Sequence, residues 1–150
     1  MSDVRKDGLW DKGLEIRREV VGDAYVDRSL ATMDDLNAPL QDYITRYAWG
    51  DIWRRPGLDW RSRSILNIGM LTALNRPAEL KRHLRGALRN GLTREEVREC
   101  LLQTAVYCGA PAALDAFRIA REVFAEMEDE ECPPSKVSVS STSPPSSPRP

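Results

Sequence analysis

The chain has 150 residues, of which 30% are charged and 41% hydrophobic, and its net charge is −1. That length suits one domain with a sizeable core. The balanced charge argues against attraction to nucleic acid or to an anionic membrane, and no apolar run approaches the roughly 20 residues that span a bilayer. The N-terminus leads into no apolar signal segment, and three cysteines without Cys-x-x-Cys fit a reducing compartment. We therefore expect a cytoplasmic protein without a metal site.

Hydrophobic periodicity predicts an all-α bundle of about six helices, with no segment of strand-like alternation before residue 132. The segment Trp60–Leu74 is apolar on nearly all sides, which is typical of a helix at the centre of a fold. Because so short a chain would leave aromatic surface uncovered, we expect a homo-oligomer, either a trimer or a hexamer. Gly22–Ser29 is predicted to be a short connector. The predicted helices cover residues 9–21, 40–49, 60–74, 77–90, 94–108 and 111–127.

The composition changes after Glu131, where serine and proline replace the mixed pattern of the helices. A segment of that kind has too few apolar side chains to form a core. We therefore predict a helical domain over residues 1–131. Residues 132–150 are predicted to form a disordered tail that the activity does not need.

His83 is the only histidine of the chain, and its chemistry stands out. Its helix carries an apolar stripe of Leu80, Leu84, Ala87 and Leu88, and His83 lies on or beside that face. Imidazole is the side chain whose ordinary pKa lies near neutrality. From the residues alone, a structural core histidine and a catalytic histidine both remain open.

Several stretches together resemble the carboxymuconolactone decarboxylase family over about residues 8–125. The resemblance implies an alkylhydroperoxidase-like helical fold, a homo-oligomer, and a carboxy-lyase that removes CO₂ from a carboxylated lactone without a cofactor. One position departs from the pattern: Tyr25 stands where the bacterial enzymes have histidine, and a phenol cannot take up a proton near neutral pH. The matching stretches are residues 16–29, 47–53, 55–58, 61–64, 83–85, Asn90-Gly91-Leu92-Thr93 and Tyr107-Cys108-Gly109-Ala110-Pro111-Ala112-Ala113.

The resemblance makes His83 the candidate catalytic residue. The implied reaction also needs donors for a developing oxyanion, a proton for carbon, and arginines whose planar fork matches a carboxylate. Arg85, two residues from His83 on the helix, is predicted to point away from it. For each binding candidate, a solvated or structural role is at least as well supported by the sequence. The substrate-binding candidates are Arg46, Arg55, Arg63 and Tyr107.

The same superfamily includes disulfide reductases that carry Cys-x-x-Cys four residues before this histidine. Those two positions are Arg76 and Glu79 here, and the relay glutamate of those proteins corresponds to Ser64. Thiol redox chemistry at this site is therefore excluded. Two alternatives to the lead stay open: a decarboxylase of the same fold acting on another carboxylated ring compound in secondary-metabolite biosynthesis, and a non-catalytic helical oligomer that binds a partner.

Overall fold

The computed structural model describes residues 8–131, and over that range the chain is helical and contains no strand. The all-α class is confirmed, with seven α-helices and a π-helical segment in place of about six helices. None of the helices within this range is both long and apolar enough to cross a membrane. The predicted tail, residues 132–150, lies outside the described residues. The elements are α1 Gly8–Val21, α2 Asp23–Ala31, α3 Ala38–Tyr43, the π-helix Ile44–Ile52, α4 Trp60–Ala73, α5 Pro77–Arg89, α6 Arg94–Cys108 and α7 Ala110–Glu131.

The prediction of a connector over Gly22–Ser29 is wrong, because this segment lies almost entirely in α2. Gly22 separates α1 from α2 and is the N-cap of α2, with a φ of +92° that favours glycine. Only Val26 of this helix is buried. A nine-residue helix with one buried side chain has no apolar stripe by which the sequence could reveal it.

The helix predicted over residues 40–49 begins at Ala38 and changes its hydrogen-bonding pattern at Ile44. From there the N–H groups reach five residues back, as from Trp53 to the Ala48 carbonyl at 2.9 Å. Helix α1 lies directly against this segment, since a Cβ on Gly13 would overlap a backbone carbonyl of the π-helix. The close approach holds the π-helix in place and so positions the two tryptophans that it carries.

Two apolar cores lie on either side of α5, which packs against α1, α4 and α7. Helices α4 to α7 form the larger core around Ile68, Leu84, Leu101 and Val123. The smaller core is built by α1, α2 and the π-helix. It contains Ile16, Val20, Val21, Val26, Trp49 and Trp53.

Helix α4 is not central within one chain. It buries Ser64, Ile68 and Thr72, which form a single stripe at four-residue spacing. On its other sides Leu66 is 54% exposed and Leu74 is 65% exposed. The prediction that this helix lies at the centre of the fold is therefore wrong for a single chain, in which its remaining apolar side chains form surface.

The ends of the helices around His83 follow the sequence closely. The Thr93 hydroxyl accepts a hydrogen bond from the Glu96 N–H at 3.1 Å, and the Glu96 carboxylate accepts one from the Thr93 N–H at 2.9 Å. The sequence Thr93-x-x-Glu96 has the spacing of a capping box, and both hydrogen bonds of that box are present. At the start of α4, the Asp59 carboxylate accepts from the Ser62 N–H at 2.7 Å. The two caps fix the residues at which α6 and α4 begin.

Candidate active site around His83

His83 lies in a pocket of aromatic and amide groups contributed by three elements. Its ring stacks on Trp49, with centroids 6.2 Å apart and planes 6° apart, and on Trp53 at 6.4 Å and 26°. The two indoles also contact each other at 4.9 Å. From α4, the Asn67 side-chain nitrogen lies 3.3 Å from Nδ1 of His83. We call these four residues the aromatic nest.

The nest keeps the His83 imidazole neutral at physiological pH. The pKa of His83 is lowered from 6.5 to about 4, mainly by burial and next by the positive charge of Arg82, while Glu79 opposes the shift. An amide nitrogen facing Nδ1 donates a hydrogen bond to it, which leaves the ring proton on Nε2. The imidazole therefore offers an N–H donor at Nε2 without carrying a positive charge.

Hydrogen bonds at the start of α4 hold the nest together. The Trp60 indole N–H donates to the carbonyl of Trp53 at 2.9 Å, which ties the end of the π-helix to α4. Ser64, at the position of the superfamily's relay glutamate, donates to the Trp60 carbonyl at 2.9 Å and accepts from the Asn90 amide at 3.0 Å. A buried hydroxyl thus connects α4 to the end of α5 and helps to align His83 with its neighbours.

Two of the predicted binding arginines lie in or beside the loop that follows Trp53 and precedes α4. The Arg63 guanidinium donates to the carbonyls of Leu58 at 3.0 Å and Arg55 at 3.1 Å. Arg63 therefore supports the loop with its own donors. Arg55 is exposed, and its guanidinium makes no hydrogen bond or ion pair to any other residue in the range 8–131. Its donors are available to a ligand.

The other predicted side chains occupy different surroundings. Arg46 is 7% exposed and donates from Nε to the Asp42 carboxylate at 2.7 Å. Tyr107 is 76% exposed on the last turn of α6. Arg85 points to α7, where it pairs with Glu126 at 3.0 Å, so the prediction that it faces away from His83 is confirmed. Neither Arg46 nor Tyr107 forms part of the aromatic nest.

Several residues around the site were missed by the sequence reasoning. Asn67 belongs to no sequence motif, and nothing in the sequence connects the tryptophans with His83. Arg17 was also missed: it is 3% exposed, and its guanidinium donates to Gln41 at 3.0 Å, Thr45 at 3.2 Å and Ser29 at 3.1 Å. Arg17 precedes Val20 and Val21 of the same helix by three and four residues, the spacing that places side chains on one face, and this is the signal that could have marked it as buried.

The fold and the site together define a class: an all-α protein with a buried histidine that has no pair of cysteines beside it within residues 8–131. Cys100 and Cys108, the cysteines within residues 8–131, are both free thiols. In the same range, no group of three or more histidine, cysteine, aspartate or glutamate side chains could hold a metal ion.

The family model for the carboxymuconolactone decarboxylase family matches residues 38–122. The chain is 43% identical over 118 residues to 4-carboxymuconolactone decarboxylase of Acinetobacter baylyi, covering 79% of this chain and 88% of that protein. It is 40% identical over 121 residues to nitrosuccinic acid decarboxylase of Metarhizium robertsii, covering 81% and 85%. The chain belongs to the carboxymuconolactone decarboxylase family and is a decarboxylase, that is, a carboxy-lyase. These findings favour the enzyme over the non-catalytic oligomer.

Proposed function

We propose that the protein removes CO₂ from a carboxylated lactone, without a bound cofactor, and that His83 is its catalytic residue. The observation that carries the assignment is the neutral imidazole of the aromatic nest, which presents a proton at Nε2 in a buried setting. The similarity to 4-carboxymuconolactone decarboxylase supports the substrate class. A small-molecule carboxylate is the kind of substrate that the family membership requires.

The proposed reaction needs a place for negative charge and a proton for carbon. When the bond between the carboxylate and the ring carbon breaks, its electron pair moves through the ring double bond onto the lactone carbonyl oxygen. A hydrogen bond from Nε2–H of His83 to that oxygen stabilises the charge as it develops. A carbon of the resulting enolate then takes up a proton, and the carbonyl double bond re-forms. The neutral imidazole can make this hydrogen bond without first taking up a proton.

Arg55 is the proposed partner of the substrate carboxylate. It follows Trp53 by two residues, its guanidinium is exposed, and Arg63 holds its carbonyl in place. Arg63 is proposed to act with it by fixing the loop. Arg46, in the π-helix, is also proposed to bind the substrate. Tyr107 is proposed to bind it at a contact between subunits, because its side chain is 76% exposed in one chain.

A second candidate substrate is supported by the relative from Metarhizium robertsii. That protein is named for nitrosuccinic acid, in which a nitro group can accept charge as the lactone carbonyl does. The alternative is therefore a decarboxylase of the same mechanism that acts on another carboxylated compound with an electron-accepting group. Measured rates on the two substrates decide between the candidates.

We further propose a homo-oligomer, either a trimer or a hexamer, in the cytoplasm. Apolar side chains in α3, in the π-helix and in and directly after α4 are exposed. Surfaces of this kind mark sites of association. Light scattering that gives a monomer at micromolar concentration would overturn the assembly, and cell fractionation checks the location. The side chains are Leu40, Tyr43, Tyr47, Ile52, Ile65, Leu66, Met70 and Leu74.

The test of the catalytic assignment is His83→Asn, with CO₂ release measured from 4-carboxymuconolactone and from nitrosuccinate. General acid–base and oxyanion assistance are worth about a hundredfold or more in kcat. We expect a loss of that size with little change in KM. Arg98→Gln on α6, whose partners are Glu95 and Glu99, is the control and should keep full activity. A folded His83→Asn protein with wild-type kcat would exclude His83.

A further inference from the structure

A cavity of about 540 Å³ lies on the side of α5 away from the aromatic nest. Its walls come from the junction of α1 and α2, from α5 and from α7. His83 and the tryptophans do not line it. Five basic side chains do: Arg28, Lys81, Arg82, Arg85 and Arg89.

The acidic side chains of the same cavity do not balance this charge. Glu126 and Glu130 on α7 pair with Lys81 and Arg85. The third acid, Asp23, pairs with Arg18, which is outside the lining. Arg82 in turn pairs at 2.8 Å with Glu79, which is also outside the lining, so two of the five cations are left without a carboxylate partner among residues 8–131.

The unbalanced cations can be identified. Neither Arg28 nor Arg89 has a carboxylate within salt-bridge distance among residues 8–131. Arg89 makes only a long hydrogen bond, 3.4 Å, to the carbonyl of Val20. Burial and the neighbouring Arg85 lower the pKa of Arg89, while the charges of Glu130 and Asp23 oppose this shift without pairing with it, and a bound anion would add to that compensation. Arg82 adds a third guanidinium beside the ring of Tyr25, at 4.8 Å from its centroid.

The backbone at the cavity wall adds to the same field. The first turn of α2 lines the cavity, and the N–H groups of a first turn have no acceptor within their own helix. Gly22 precedes that turn, and a Cβ there would come within 2.9 Å of both terminal nitrogens of Arg89. The glycine thus leaves room for a guanidinium against the helix start.

We propose that this cavity binds a small dianion, in the first place a dicarboxylate of four to seven carbons, at a site separate from the aromatic nest. Two unbalanced arginines match two anionic groups, and the planar fork of each arginine matches a carboxylate. The volume exceeds what such a molecule fills, so the ligand keeps part of its water. The proposal does not depend on His83 being catalytic.

Isothermal titration calorimetry of the full chain with succinate tests this, in a buffer of low ionic strength that contains no phosphate. Inorganic phosphate and acetate are titrated in parallel. We expect succinate to bind more tightly than acetate, and Arg28→Gln and Arg89→Gln each to raise its Kd about tenfold or more, because each removes a charge-assisted hydrogen bond. Arg118→Gln, outside the cavity, is the matched control and should change Kd less than twofold.

His83→Asn separates this site from the proposed catalytic one. Unchanged succinate affinity in that variant, together with the loss in Arg28→Gln, supports two sites. Affinity that follows His83 and ignores both arginines overturns the proposal, as does the absence of binding. Phosphate binding that exceeds succinate binding and depends on the same arginines keeps the dianion site but overturns its preference for carboxylates.

Discussion

The two faces of α5 treat ionisable side chains in opposite ways. On the face toward the π-helix and α4, His83 is enclosed by indoles and an amide, with no carboxylate in hydrogen-bonding contact, and it remains neutral. On the opposite face, Lys81 and Arg85 line the cavity and have carboxylate partners on α7. One helix therefore carries a neutral donor on one face and charged side chains on the other. Access to solvent and the presence of a countercharge determine whether an ionisable side chain is neutral or charged.

The largest expected effect concerns the stability of the neutral face. The pKa of His83 is about 4 in the folded chain and 6.5 when exposed, so below pH 6.5 the unfolded chain binds a proton that the folded chain does not. The free energy of unfolding is therefore not reduced by His83 above pH 6.5, and it falls by about 3 kcal/mol as the pH is lowered to about 4. Urea unfolding across this range should show the loss in the wild type and a flatter profile in His83→Asn. Identical profiles would mean that the imidazole is not held neutral.

The next effect concerns the backbone that shapes the charged face. Gly22→Ala should destabilise the fold by about 2 kcal/mol, because alanine is strained at a φ of +92° and its Cβ meets Arg89. Gly91→Ala, at φ +91° with open space around the Cβ, isolates the strain alone and should cost less. Gly57→Ala, which has neither feature, is the neutral control. Equal losses at Gly22 and Gly91 would show that Arg89 does not lie where the structure has it.

A smaller effect is expected from the amide that faces His83. Asn67→Leu removes the donor to Nδ1, so the ring proton is no longer held on Nε2. We expect kcat for decarboxylation to fall about tenfold with little change in KM, and the pH of maximal stability to shift. Gln103→Leu, an exposed amide on α6, is the comparison and should leave kcat unchanged. An active Asn67→Leu enzyme would mean that the tautomer is set by other groups.

The smallest effect is expected from a change that touches neither face. Removal of residues 132–150 should leave activity, succinate affinity and melting temperature at wild-type values, since their serine- and proline-rich composition offers no packing stripe. A melting temperature that falls by several degrees would give the tail a structural role.

The sequence predicted the caps and the long helices because these depend on neighbouring residues. Thr93 and Glu96 form their box three residues apart, and Gly22 ends α1 where a glycine was expected to end it. The aromatic nest could not be predicted from neighbouring residues in this way. His83, Trp53 and Asn67 come from three elements, and their meeting depends on a π-helix that mimics an α-helix in its apolar spacing. Helix α2 was missed because only Val26 of it is buried.

The π-helix has a consequence for the lengths of sequence that this fold can tolerate. Its bonds reach five residues back, so Ile44–Ile52 holds more residues per turn than an α-helix would. Deletion of one residue there lets the backbone close into the commoner α-helical pattern, and because the rotation and the rise per residue change with the pattern, the segment beyond it takes a new direction relative to α3. Trp53 would then leave His83 although no side chain of the nest had been altered. In this segment an insertion or a deletion changes the direction of the chain that follows, so the number of residues matters as much as their identity.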